Sequence, residues 1–114
     1  MAERSKRLAV SFTSDAIRSL DQIWRWNAAE RGPAHADRYI GFLAAQAQKL
    51  AVDRTGARQV LGHPNLFYCL LRRRGSRGHA HIIVFGIEGE EMIVADFHHT
   101  AQDWERRYEA DEEA

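Results

Sequence analysis

Apolar and polar positions along the 114-residue chain change period twice, and each change marks a boundary between elements. Leu8-Ala-Val-Ser-Phe12 alternates, which predicts a short strand. Thr13-Ser14-Asp15 then offers hydroxyl and carboxylate caps for a helix over about 15–31. Ile17, Leu20, Trp24 and Ala28 recur at spacings of three and four and predict its buried face. Trp26 lies off that stripe and is expected to seal the edge of the core. Gly32-Pro33 ends this helix and starts a second over about 34–52, with Ala36, Tyr39 or Ile40, Leu43, Ala47 and Leu50 facing inward. The short connection makes the pair an antiparallel hairpin.

Residues 53–65 carry turn chemistry without periodicity and read as a loop. The period then becomes that of strands. Leu66–Leu71, His81–Phe85 and Met92–Phe97 are three apolar, β-branched or aromatic runs separated by Gly-containing turns, which predicts an antiparallel meander. From Thr100 to about Glu109 a short helix is expected, with Thr100 as cap, Asp103 three residues on, and Trp104 and Tyr108 docking it. The order β-α-α-β-β-β-α predicts an α+β fold, a helical hairpin packed on one face of a small antiparallel sheet, whose other face must be covered or used. No repeat or linker divides the chain, so one domain over 1–114 is expected, with its core at about 8–109 and an acidic tail at 110–114.

Composition adds little beyond a bound. Apolar residues make up 45%, too many for a disordered chain, and no apolar run is long enough to cross a bilayer. Cys69 stands alone, which excludes an internal disulfide and a cysteine-based zinc site and suits a reducing compartment. The first residues lack the apolar stretch of a secretory signal, and a cytoplasmic location is expected.

Charge changes the picture more. The formal net charge is zero, but residues 54–87 hold six arginines and no acid, while residues 88–114 hold ten acids against Arg106 and Arg107. Arginine forks onto phosphate or carboxylate, so the basic centre, with Arg72, Arg73, Arg74 and Arg77 at a hairpin, is a candidate site for an anionic partner such as RNA, DNA or an acidic peptide. Histidines cluster nearby. His79 and His81 fall on one face of their strand, and Arg72 and Arg74 on one face of its neighbour. His79-x-His81 with His98 or His99 offers nitrogen ligands, but only Asp96 is a carboxylate close in sequence, so no metal and no cofactor are expected.

Three pieces of the chain, in order and spacing, resemble the RelE/ParE family of bacterial type II toxin-antitoxin toxins. They are Thr-x-x-Ala-x-x-x-Leu-x-x-Ile-Trp from Thr13 to Trp24, Gly-Pro-x-x-Ala-x-x-Tyr from Gly32 to Tyr39, and His98-His99-x-x-x-Asp103-Trp104-Glu105. The resemblance implies a small α+β toxin held inactive by a cognate antitoxin, ParD-like or another small DNA-binding protein. It leaves two mechanisms open. ParE-like members poison DNA gyrase by binding and need no catalytic residue. RelE-like members resemble metal-free ribonucleases that cut mRNA on the ribosome with a base, a protonated acid and arginines. For the second, Arg72, Arg74, Arg77, His79, His81 and His98 are the candidates, but residues 54–87 lack the Glu, Asp or Lys that serves as base in many such relatives. His99 is similar to the histidine that precedes Asp-Trp in ParE-like members and is expected to be structural. Arg72, Arg73, Arg74, Arg77, His98 and Trp104 are the candidate contacts for target or antitoxin.

Overall fold

Thr13 ends a strand, caps a helix and ties both to the sheet. Its backbone is extended (φ −72°, ψ 167°) and its hydroxyl oxygen accepts the Ala16 N–H. The same hydroxyl donates to the Ala95 carbonyl at 2.7 Å, and the Thr13 N–H donates to the Val94 carbonyl at 3.0 Å. The computed structural model describes residues 7–73 and 80–109. Their order is β1 (Ala9–Phe12), α1 (Ser14–Arg31), α2 (Pro33–Leu50), β2 (Arg58–Val60), β3 (His63–Leu71), β4 (His81–Glu88), β5 (Glu91–His99) and a 3₁₀ turn, Trp104–Tyr108.

The helices meet at Gly32, which takes φ 95° and ψ 158°, donates its N–H to Ala28 and precedes Pro33 at the first position of α2. The inward face of α2 is the predicted one, with Tyr39 rather than Ile40 fully inside. The inward face of α1 is not. Ala16 and Asn27 are buried, with Leu20 and Ile23 packed against the core, whereas Ile17 is 58% exposed. The observed stripe is 16, 20, 23, 27, a regular helical spacing hidden in the sequence because one member is polar. Asn27 is accommodated because its side-chain amide donates to the Ile23 carbonyl at 2.8 Å.

The strands form one sheet in the order β1-β5-β4-β3-β2. The meander β3-β4-β5 is antiparallel as predicted, but β1 joins β5 in parallel, so the sheet is mixed. The segment read as a loop contains β2 and the start of β3, paired across a bulge at Gln59/Val60. Only Val60 of β2 is buried, so that strand carries no alternation to read. The helices cover one face around Leu43, Ile83, Phe85, Met92 and Val94. A second cluster lies on the other face, where Trp104 and Tyr108 pack over Val60, Ile82 and Val84.

That C-terminal cover is the short helix foreseen from the sequence, but tighter and later. Thr100 is not its cap, since its N–H donates to the Ala80 carbonyl and extends the β4–β5 ladder. The chain then wraps His99. The Gln102 side chain accepts the His99 N–H, and the Ala101 N–H donates to His99 Nδ1, which delays the helical turn to Trp104. The 110–114 tail lies outside the described residues.

Candidate functional site

β1 pairs with β5 only as far as Val94, so residues 95–99 of β5 run on beside β4 with no strand along their other edge. α1, the start of α2 and the C-terminal turn surround this end and leave a cleft of about 850 Å³. Its lining includes Ser19, Trp26, Arg31, His35, Tyr39, Arg73, His81, Asp96, His98, His99 and Arg107.

Two polar clusters floor the cleft, one on each side of β5. On the helix side, the Tyr39 hydroxyl meets His81 Nδ1 at 2.6 Å, and the His81 ring stands edge-on to His99 with centroids 5.1 Å apart. Burial pushes the Tyr39 phenol up to about 12, so it stays protonated. On the other side, the Asp96 carboxylate accepts the Ser19 hydroxyl at 2.5 Å and the Phe97 N–H at 2.8 Å, with Arg107 at 3.7 Å. His98 Nε2 lies 2.8 Å from the Tyr108 hydroxyl and 3.9 Å from Asp96, and its ring stacks on Trp104. Burial lowers the His98 pKa below the usual imidazole value more than Asp96 raises it, which favours the neutral ring. Burial, with Asp96 nearby, pushes Tyr108 up to about 12.

The strand register separates the histidines. His81 pairs with His99, and Ile82 with His98, so His81 and His98 project from opposite faces of the sheet. Arg73 reaches the cleft, whereas Arg72 is exposed just past β3. Trp104 is half-buried against Tyr68 and Tyr108. Arg74, Arg77 and His79 lie outside the described residues. Trp26 does not seal the core as expected. It is 53% exposed and lines the cleft, because α1 turns the neighbouring 23 and 27 positions inward instead.

Ser19, Arg31, His35 and Arg107 carried no functional signal in the sequence. Tyr39 was legible as core, but its partner His81 is 42 residues away. Among the described residues, no three His, Cys, Asp or Glu side chains are grouped to hold a metal ion. Burial raises the Cys69 pKa, which keeps the thiol protonated. No described helix is long and apolar enough to cross a membrane.

This architecture of two helices on a five-stranded mixed sheet is shared with a solved chain from the chromosomal ParDE toxin-antitoxin system of P. aeruginosa. The two superpose with a TM-score of 0.63 at 18% identity, over 82% of this chain and 96% of that one. Residues 10–104 match the family described as the ParE toxin of the type II toxin-antitoxin system parDE, and the chain belongs to that family. A local likeness runs elsewhere. A lipid-A-disaccharide synthase of Escherichia coli O17:K52:H18 is 45% identical over 65 residues, which is 57% of this chain and 15% of that one. The same enzyme of Salmonella paratyphi B is 42% identical over 71 residues, 62% of this chain and 16% of its own. The chain thus spans about 15% of the length of these curated relatives.

Proposed function

We propose that the chain acts in the cytoplasm as the toxin of a type II pair, inhibiting DNA gyrase by binding it and neutralised by a cognate, ParD-like antitoxin. Arg72, Arg73, Arg74, Arg77, His98 and Trp104 are the proposed contacts for target or antitoxin.

The observation that carries this reading over mRNA cleavage is the placement of His81 and His98. Metal-free RNA cleavage needs a base, an acid and positive charge converging on one phosphate. These two side chains project from opposite faces of the sheet, are 7% and 8% exposed, and each is engaged by a tyrosine hydroxyl. Such an arrangement suits a folded scaffold that acts by contact.

The test is a supercoiling and cleavage-complex assay with purified gyrase, with and without the antitoxin. Loss of supercoiling with accumulation of linear DNA, relieved by antitoxin, is the expected result. Folded, growth-inhibiting protein that leaves gyrase untouched but cuts ribosome-bound mRNA overturns it.

A further inference from the structure

We propose that the groove between the C-terminal half of α2 and the outer edge of β3 takes an extended acidic segment of a partner protein as an added strand. The surface uses none of the residues assigned above to target or antitoxin, and it holds or fails apart from the gyrase reading.

A local turn vacates that edge. β2 begins at Arg58, opposite Tyr68, because the chain arriving from α2 is folded back just before it. Asp53 Oδ1 accepts the Thr55 N–H at 3.0 Å and the Thr55 hydroxyl at 2.5 Å, and the Ala57 N–H donates to the Arg54 carbonyl. β3 runs on to Leu71 with β4 on one side, and among the described residues no strand lies on the other. Alternate backbone N–H and C=O groups of residues 69–71 therefore face outward, a template that a further strand completes. The groove beside them, about 550 Å³, is lined by Leu50, Val52, Cys69, Leu70 and Leu71. Val52 and Leu70 are 43% and 48% exposed. An added strand lays alternate side chains on these apolar surfaces while its main chain pairs with β3.

Charge selects the occupant. Arg7 and Lys49 stand on the lining, and Arg58 opens β2. Among the described residues no carboxylate lies within ion-pair distance of any of the three. Asp53 is the carboxylate of the lining, and its Oδ1 is already taken by Thr55. A second copy of the chain, paired edge to edge, would set these cations against their own equals, which is unfavourable. A nucleic-acid backbone would satisfy the cations but leave the strand edge and the side chains of Val52 and Leu70 unused. A segment in which Asp or Glu alternates with apolar residues uses all three features.

The probes are a capped peptide alternating glutamate and valine, its lysine counterpart, two versions of the glutamate peptide N-methylated on the glutamates or on the valines, and a short DNA duplex. Each is titrated into the isotope-labelled whole chain and followed by amide shifts and calorimetry. The glutamate peptide is expected to bind at least about tenfold more tightly than the lysine peptide, to weaken as salt rises, and to shift the amides of residues 69–71. N-methylation removes main-chain donors, so one of the two methylated versions should lose about tenfold or more. Lys49→Gln combined with Arg58→Gln, and separately Leu70→Thr, all at exposed positions, should each weaken binding about fivefold or more. Both should leave the melting temperature near that of the unchanged protein. A glutamate peptide that binds no tighter than the lysine one, full affinity of both methylated versions, shifts confined to other residues, or binding of the duplex alone would each overturn the proposal. A free chain that sediments as a dimer through this edge names a second copy as the occupant and overturns it as well.

Discussion

His98 fastens the C-terminal turn to the sheet through one side chain: its Nε2 stands 2.8 Å from the Tyr108 hydroxyl, and its ring stacks on Trp104. The turn is held a second time by His63, whose Nε2 donates to the Tyr108 carbonyl at 2.6 Å. Two histidines from different strands therefore grip one residue, and through it keep Trp104 and Tyr108 over Val60, Ile82 and Val84. The face that the helices leave open is closed by this grip, without a long helix.

Removing the Tyr108 hydroxyl tests it. Tyr108→Phe keeps the ring and its packing but leaves His98 Nε2, on a residue only 8% exposed, without that partner. An orphaned buried polar group costs about 1–3 kcal/mol. Each kcal/mol corresponds to about 4–8 °C of melting temperature in a domain near this size. A thermal melt of the variant that overlays the unchanged protein would show that the hydrogen bond contributes nothing.

Stability should also depend on pH with a definite sign. The folded-state pKa of His98 is depressed, so below about pH 6.5 the unfolded chain binds this proton more readily than the folded one. Stability from this group is therefore complete above that pH and is lost on acidification. The tyrosines act at the other limit. Tyr39 and Tyr108 are pushed up to about 12, so the folded chain keeps protons that the unfolded chain releases from about pH 10, and stability falls as pH rises through that interval. Denaturant titrations across pH read both slopes. His98→Gln should flatten the acid limb and leave the alkaline fall from Tyr39.

Two glycine substitutions should move stability in opposite directions. Gly32 holds φ 95° and ψ 158°, a region that is essentially glycine-only, and an added Cβ there would meet no atom within 4 Å. Gly32→Ala therefore costs backbone strain rather than a clash, about 1–3 kcal/mol. Gly41 is exposed within α2 and has equally open surroundings but an ordinary helical backbone. There Gly41→Ala should stabilise by about 0.5–1 kcal/mol, since alanine has less unfolded-state freedom to lose. Denaturant midpoints at constant slope report both. A neutral Gly32→Ala would mean that the hairpin corner relaxes freely.

What could be read ahead of the structure follows from the range of each signal. The inward face of α2 was legible, short of the choice between Tyr39 and Ile40 and with its end placed two residues late, because Ala36, Leu43, Ala47 and Leu50 are apolar and evenly spaced. α1 was legible as a helix but not in its facing, because the buried Asn27 breaks the apolar stripe that would have excluded Ile17. β2 is too short for a pattern, and its bulge is set by pairing with β3. The parallel joining of β1 to β5 is a tertiary fact, fixed by Thr13 bonding to residues 81 and 82 positions away. The cleft was the least legible part. The histidines and Arg73 were visible as chemistry, but nothing local shows that His81 and His98 face apart, or that Ser19 and Asp96 meet across 77 residues.

That last pair supports a final prediction. Asp96 is 4% exposed and carries a charge that water barely reaches, so its stability depends on the donors around it. The Ser19 hydroxyl at 2.5 Å is one, the Phe97 N–H at 2.8 Å is another, and Arg107 stands off at 3.7 Å. Ser19→Ala removes a donor from a buried carboxylate and should cost about 1–3 kcal/mol. Asp96→Asn keeps the shape and removes the charge, so the missing hydroxyl should matter less in its background. The double variant should then be more stable than the sum of the single losses implies, by about 0.5 kcal/mol or more. Strict additivity in a double-mutant cycle would show that Ser19 does not stabilise the Asp96 charge, and that α1 is held to this end of β5 by packing and Thr13 alone.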